Sequence, residues 1–126
     1  MQSQHFRTIA DYWNNIDIAL VGIGSPAIRD GANWHAFYGR EESDDLYAGQ
    51  IAGDICSRFY DINGVTVETQ INEKTLSIEI HKLKNARYSI GIAMGEEKLS
   101  GILGALRGKY INCLVTNCQT AELLLQ

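Results

Sequence analysis

Asp54 follows Gly53 inside an apolar stretch, Ile51-Ala-Gly-Asp-Ile-Cys. A carboxylate held there, beside a glycine that leaves room, can accept hydrogen bonds from two sugar hydroxyls. The same residue can instead cap a turn or pair with Arg58, and the sequence leaves these roles level. Lys98 stands in the first turn of a helix that follows Gly95. Helix N-terminal N–H groups and the helix dipole favour an anion at that place. A lysine there is a poor partner for the dipole unless an anion neutralises it, although a plain solvated lysine fits the pattern too. The third feature is Gly22-Ile-Gly24-Ser25-Pro26. Two glycines and a serine at a strand end let backbone N–H groups approach an anion, or simply serve a tight turn that needs small residues. Glu41, Glu42, Asp44 and Asp45 read as a solvated helix face. Cys113 and Cys118 lack a second ligand pair and His5, His35 and His81 are scattered, so neither zinc nor a cofactor is expected.

The elements that must position these groups follow from hydrophobic period. Gln4 to Asn15 has a helical stripe in Phe6, Ile9, Ala10 and Trp13. Ile16 to Ile23 is nearly all apolar, the pattern of a strand buried on both faces. A turn at Gly49 leads into Ile51–Tyr60, a hairpin loop at Asp61-Ile-Asn-Gly64 and a return strand Val65–Glu68; Asn-Gly supplies the positive φ such loops demand. Thr75 to Ile80 alternates as a strand with Leu76, Ile78 and Ile80 on one face, and a short helical segment runs from Ile80 to Asn85. Tyr88–Ala93 is a further buried strand. From Glu96 the period turns helical through Leu99, Ile102, Leu103 and Leu106, with Arg107 in the last turn and Gly108 placed to take the left-handed C-terminal position. Tyr110–Val115 is the next strand, and Thr116 and Gln119 have capping-box spacing for a last helix, Asn117–Leu125. Strand, helix, strand is a parallel βαβ unit. The fold class is therefore α/β, a mainly parallel sheet with an antiparallel excursion. Ligands of such sheets sit beyond the strand C-termini, which puts Gly95, Glu96 and Lys98 at the mouth of a site.

The chain has 126 residues and a formal net charge of -4, with no basic block to grip nucleic acid. No apolar run reaches the roughly 18 residues of a membrane helix, and no membrane partner is expected. The N-terminus lacks the apolar core of a signal peptide. An odd cysteine count, Cys56, Cys113 and Cys118, with two in apolar strands, is read as free buried thiols in a reducing cytoplasm.

Three colinear stretches resemble one family. They are Trp13-Asn-Asn-Ile-Asp-Ile-Ala-Leu-Val-Gly-Ile-Gly-Ser25, Gly53-Asp-Ile-Cys-Ser-Arg-Phe-Tyr-Asp-Ile-Asn-Gly64, and Gly95-Glu-Glu-Lys98 continued through Gly104-Ala-Leu-Arg-Gly-Lys-Tyr-Ile-Asn-Cys-Leu-Val-Thr116 to Thr120-Ala121. Together they are similar to the C-terminal part of the sugar-binding domain of SorC-type bacterial transcriptional regulators. The resemblance implies a Rossmann-like, three-layer domain like that of sugar-phosphate isomerases, of which this chain is a single partial copy. It implies a sensor of a phosphorylated sugar, assembled as a dimer or tetramer. Operator DNA would be met only through an N-terminal helix-turn-helix that this chain does not contain, and the first half of the effector domain is absent as well. By position, Lys98 looks like the family's phosphate-contacting lysine and Asp54 like its hydroxyl-binding acid. Gly22, Gly24 and Ser25 would line the same cleft, with Arg58 and Arg40 as secondary phosphate ligands. Asn117-Cys118 stands where the family has Asp-Glu, which weakens a helix N-terminal charge by about 0.3–1 kcal/mol without touching the cleft. The competing expectations are an isomerase or deaminase in which Asp54 abstracts a proton, and an oligomerisation piece without ligand affinity. No second acid or histidine is placed beside Asp54 or Lys98 in the pattern, which tells against the enzyme.

Overall fold

The computed structural model describes residues 3–26 and 50–126. The expected turn at Gly49, the acidic cluster Glu41–Asp45, the segment Asn33–Tyr38 with His35, and Arg40 lie outside the described residues. Helix α1, Gln4–Asn14, begins on Ser3, whose hydroxyl accepts the Phe6 N–H at 3.2 Å. Phe6 and Trp13 meet edge to face at 6.0 Å, and Trp13 packs on the core. Strand β1 is Ile18–Gly22. After residue 50 come β2 (Gly53–Ile55), β3 (Arg58–Tyr60) and β4 (Thr66–Val67), then a short helix α2 (Gln70–Lys74) and a 3-10 helix over Ile80–Asn85. Strand β5 is Tyr88–Ile92, a 3-10 turn covers Glu96–Lys98, and α3 runs Leu99–Arg107. Strand β6 (Cys113–Val115) and helix α4 (Cys118–Leu124) close the chain.

Two three-stranded sheets result, β1-β5-β6 and β2-β3-β4. In the first, Leu20 lies opposite Ile90 and Ile90 opposite Cys113, both pairings parallel. The α/β class and the βαβ unit read from residues 88–115 are what the structure contains. The second sheet is antiparallel, with Asp54 opposite Phe59. Among the described residues the two are bridged where Gly24 and Asp54 exchange backbone hydrogen bonds of 2.9 and 3.2 Å.

One face of the parallel sheet, through Ala19, Ile23, Ser89 and Ala93, is buried in a core with Ile102, Ala105, Tyr110 and Ile111. The opposite face is uncovered: Ile18 is 65% and Leu20 67% exposed, and Tyr88, Ile92 and Val115 lie in register beside them. The expectation of strands buried on both faces is corrected here, because the described residues cover one side only.

Four further expectations are corrected. Ile51–Tyr60 is broken by a two-residue turn at Cys56 and Ser57, both at positive φ (53° and 60°), which reverses the chain into β3. Thr75–Ile80 is not a strand. Arg58 takes the Ser77 and Ile78 carbonyls at 3.0 and 3.2 Å, which removes two acceptors a sheet ladder would need. The helical stripe of α3 is rotated: Gly101, Ile102, Gly104 and Ala105 are buried, whereas Leu106 is exposed. Small residues let this helix lie directly on β2 and β3. The three free cysteines are exposed rather than buried.

The helix ends differ in detail. Gly108 keeps a right-handed φ of -74°, and Lys109 takes the left-handed position at +60°. Gly108 is instead a packing glycine, since a Cβ there would strike the Tyr110 ring and sit 2.9 Å from the Gly64 carbonyl oxygen. Helix α4 is capped by Asn117, not Thr116: the Asn117 side chain accepts the Thr120 N–H at 2.9 Å. Strand β6 starts three residues later than read. Asn112 stands in for the missing ladder, its side chain accepting the Ser89 N–H at 2.9 Å and donating to the Arg87 carbonyl at 3.0 Å.

Candidate functional site at the strand tips

Three segments converge beyond the C-terminal ends of β1 and β5. The first is the exit of β1, Gly22-Ile-Gly-Ser25, placed by the parallel pairing with β5. The second is β2, carried onto the first by the Gly24–Asp54 bridge. The third is Gly95–Lys98, held where β5 ends. There the Gly95 N–H donates to the buried Thr120 hydroxyl at 2.9 Å, and the buried Ser25 hydroxyl donates to the Glu97 carbonyl at 2.6 Å. Gly95 itself sits at φ +112°, which favours glycine.

Asp54 and Lys98 are brought together by this arrangement. The Lys98 ammonium donates to the Ile23 carbonyl at 2.6 Å, which fixes it over the end of β1. Burial drives the Asp54 carboxyl above its ordinary range, against the smaller opposing pull of the Ser57 backbone N–H and the Lys98 charge. Asp54 thus carries a desolvated acceptor on one side of the strand tips and Lys98 a cation on the other. Hydroxyl and anion recognition need those two chemistries side by side.

Gly24 lies against Asp54 with no room for a side chain. A Cβ there would overlap Asp54 Oδ1 and lie 2.9 Å from Cγ. Gly53 is equally tight: its Cβ would fall 2.7 Å from both Gly101 Cα and the Gly24 carbonyl oxygen. Gly22 is different, because a Cβ there meets nothing within 4 Å. Arg58 is not brought to Asp54. The two alternate to opposite faces of the β2–β3 hairpin, and the guanidinium is tied to Ser77 and Ile78. Arg58 lines another groove, of about 310 Å³, with Phe59, Thr66, Glu68, Asn72, Glu79, Ile80 and His81.

Several contributors had no mark in the sequence. The Ile23 carbonyl and the Ser57 N–H act through the backbone, where residue type says nothing. Tyr60 reaches the Gly101 carbonyl at 2.8 Å and anchors α3 on β3. Thr120 was within reach of inference, since it lies three residues after a good N-cap, Asn117.

The desolvated carboxylate has a consequence for stability. Its folded-state pKa is raised, so Asp54 contributes most favourably below the ordinary value of 3.8, and that contribution is lost as pH rises through the raised folded value. Asp54→Asn is therefore expected to unfold at a higher temperature than wild type at pH 7. The gap should close as pH falls below 3.8. Melting curves across that range check it, and an Asp54→Asn variant that is less stable at pH 7 would contradict the burial argument.

A parallel sheet with its helices, and with Asp54 and Lys98 near the strand tips, makes this an α/β domain. Residues 1–126 match the family described as "Putative sugar-binding domain", and the chain belongs to that family. It is 78% identical over its whole length to the sorbitol operon regulator of Klebsiella pneumoniae, of which it covers 40%. It is 37% identical, over 98% of its length, to the deoxyribonucleoside regulator of Bacillus subtilis, of which it covers 39%. The crystal structure of the full-length Klebsiella regulator SorC superimposes with a TM-score of 0.95, and that of a probable sor operon regulator from Shigella flexneri, 75% identical and covered to 48%, with 0.91. The chain thus spans less than half the length of these relatives. They are named as regulators, which favours the sensing expectation over the isomerase one.

Proposed function

We propose that this chain is the C-terminal portion of the effector-binding domain of a DNA-binding regulator of carbohydrate metabolism, and that its effector is a phosphorylated sugar or hexitol. The observation that carries the reading is the meeting of Asp54 and Lys98 over the strand tips. Asp54 accepts ligand hydroxyls, and Lys98 meets the phosphate. The name of the sorbitol operon regulator supports a hexitol phosphate as the first ligand to try. The effector biases one conformation or assembly over another by binding it better, and the DNA-binding part of the longer protein reads out that difference. Cytoplasmic residence goes with this reading. Among the described residues no helix is long and apolar enough to cross a membrane.

Thermal shift and calorimetry against sorbitol 6-phosphate, ribose 5-phosphate, glucosamine 6-phosphate and their unphosphorylated counterparts test the proposal. A stabilising shift from a phosphorylated ligand, without turnover, is expected. Lys98→Ala should weaken that ligand by about tenfold or more, the weight of one charge-assisted hydrogen bond. Turnover of a sugar phosphate that disappears in Asp54→Asn would replace sensing with catalysis.

The uncovered sheet face supports association of this chain with itself. Parallel sheets are ordinarily covered on both faces, and a contiguous apolar patch is a docking surface. Light scattering should give a mass above the monomer's that rises with concentration, and Leu20→Lys should lower it. A monomeric mass at high concentration would remove self-association from the proposal.

A further inference from the structure

We propose that Glu97 sets the charge selectivity of the strand-tip site: its carboxylate holds the space over Gly95 that the anionic end of a ligand must take, and binding swings it out. The inference rests on the reading of the site as a sensor of phosphorylated sugars. Gly95 has no side chain, and the place where one would stand is filled by Glu97. The position of an ideal Cβ on Gly95 lies 2.5 Å from Glu97 Oε1, 2.7 Å from Oε2 and 2.7 Å from Cδ. The carboxylate is therefore folded back over the glycine that precedes its own helical turn, next to the residue that supplies the site's cation.

The backbone beneath it is pinned. Ser25 holds the Glu97 carbonyl at 2.6 Å, Thr120 holds the Gly95 N–H at 2.9 Å, and the Lys98 N–H closes the turn on the Gly95 carbonyl at 3.0 Å. Only the side chain of Glu97 is left free to rearrange, and it lies on the exposed side of the turn. Its charge also bears on what may enter. Lys98 acts on Asp54 through its charge, and the Glu97 carboxylate adds a second acidic group at the turn. A neutral polyol feels little of this. A phosphate that takes the space over Gly95 has to displace Glu97, so the residue penalises the anionic ligand alone.

The test compares Glu97→Gln with Glu96→Gln, a neighbouring exposed carboxylate, and with Lys98→Ala. Each is titrated calorimetrically with sorbitol 6-phosphate, sorbitol and inorganic phosphate, after unfolding curves establish that the free proteins are equally stable. Glu97→Gln should bind sorbitol 6-phosphate about fivefold more tightly than wild type, as expected for removing one unit of nearby like charge at a wet site. It should depend less on salt and leave sorbitol unchanged. Glu96→Gln should move affinity by less than about twofold, since its exposed charge is screened. Equal tightening by both variants would reduce the effect to general surface charge and overturn the proposal. So would an unchanged or weakened affinity in Glu97→Gln while Lys98→Ala weakens binding as expected; sensing would then stand without this residue. No response to any of the ligands from wild type and Glu97→Gln alike would remove the sensing reading and this inference together.

Discussion

Gly24→Ala is expected to abolish effector binding and to destabilise the fold by about 1–3 kcal/mol, the usual cost of overpacking a tight site. The added methyl would overlap Asp54 Oδ1, and the strand backbone on both sides is committed. Gly24 and Asp54 exchange two backbone hydrogen bonds, so neither can retreat without opening that bridge between the two sheets. The side chain of Asp54 must turn away instead. It then loses the Ser57 N–H and its place opposite Lys98, and an acceptor already desolvated is left worse served. Binding and stability therefore fall together in this variant, unlike in Asp54→Asn, where binding should fall while stability at pH 7 rises. Urea unfolding with parallel calorimetry on the phosphorylated ligand separates the two. A Gly24→Ala protein that binds as wild type does would mean that Asp54 has room the structure does not give it.

The parts of this fold that were legible in the sequence are those where one local pattern decides. Between Tyr88 and Val115 the period changes from strand to helix and back, and the parallel unit follows directly. Asn63-Gly64 announces its loop, and Gly64 does take φ +84°. Where two patterns compete, local reading fails. Cys56-Ser57 is a hairpin turn with both central residues at positive φ, yet neither residue type favours that region. The hydrophobic alternation of Leu76, Ile78 and Ile80 is real, but Arg58 claims the carbonyls a strand would have used. In α3 the leucines suggest one face, and the glycines, which bring the backbone onto β2, choose another.

The candidate site was legible as residue types and illegible as geometry. Asp54 and Lys98 could each be singled out by context. What joins them is the Gly24 bridge and the Ile23 carbonyl, both backbone features that tertiary packing creates. Arg58 shows the converse. It shares a stretch with Asp54 in the sequence, but strand alternation sends it to the other face of the hairpin. Glu97 escaped attention because a glutamate beside a lysine in a first helical turn reads as solvated charge. Its carboxylate lies where a side chain on Gly95 would stand.

Gly64→Ala carries the larger expected loss of stability, about 3–4 kcal/mol. Two costs add at this position. An L-residue in the left-handed region loses about 1–2 kcal/mol before any contact is considered. The new Cβ also falls on the Cα and N of Gly108 and 2.8 Å from the Gly104 carbonyl oxygen, all of them backbone atoms at the end of α3. A long side chain could bend aside; the helix backbone cannot move without disturbing the bonds around it. Tyr110 donates its hydroxyl to the Gly64 carbonyl at 2.5 Å, and Arg107 reaches the Ile62 carbonyl at 3.0 Å. On the loop side, Asp61 Oδ1 accepts the N–H groups of Asn63 and Val65, each at 2.9 Å. Relaxation on either side therefore breaks hydrogen bonds to relieve a clash. Asn63→Ala provides the contrast, because that side chain is exposed and only its backbone N–H enters the network, so a change within about 0.5 kcal/mol is expected. Urea midpoints for the two variants decide the matter, read with equal m-values so that stability alone is compared. A Gly64→Ala midpoint within 1 kcal/mol of wild type would require the loop and the end of α3 to part freely. In that case the backbone contact between Gly64 and Gly108 would not be what fixes α3 against the hairpin.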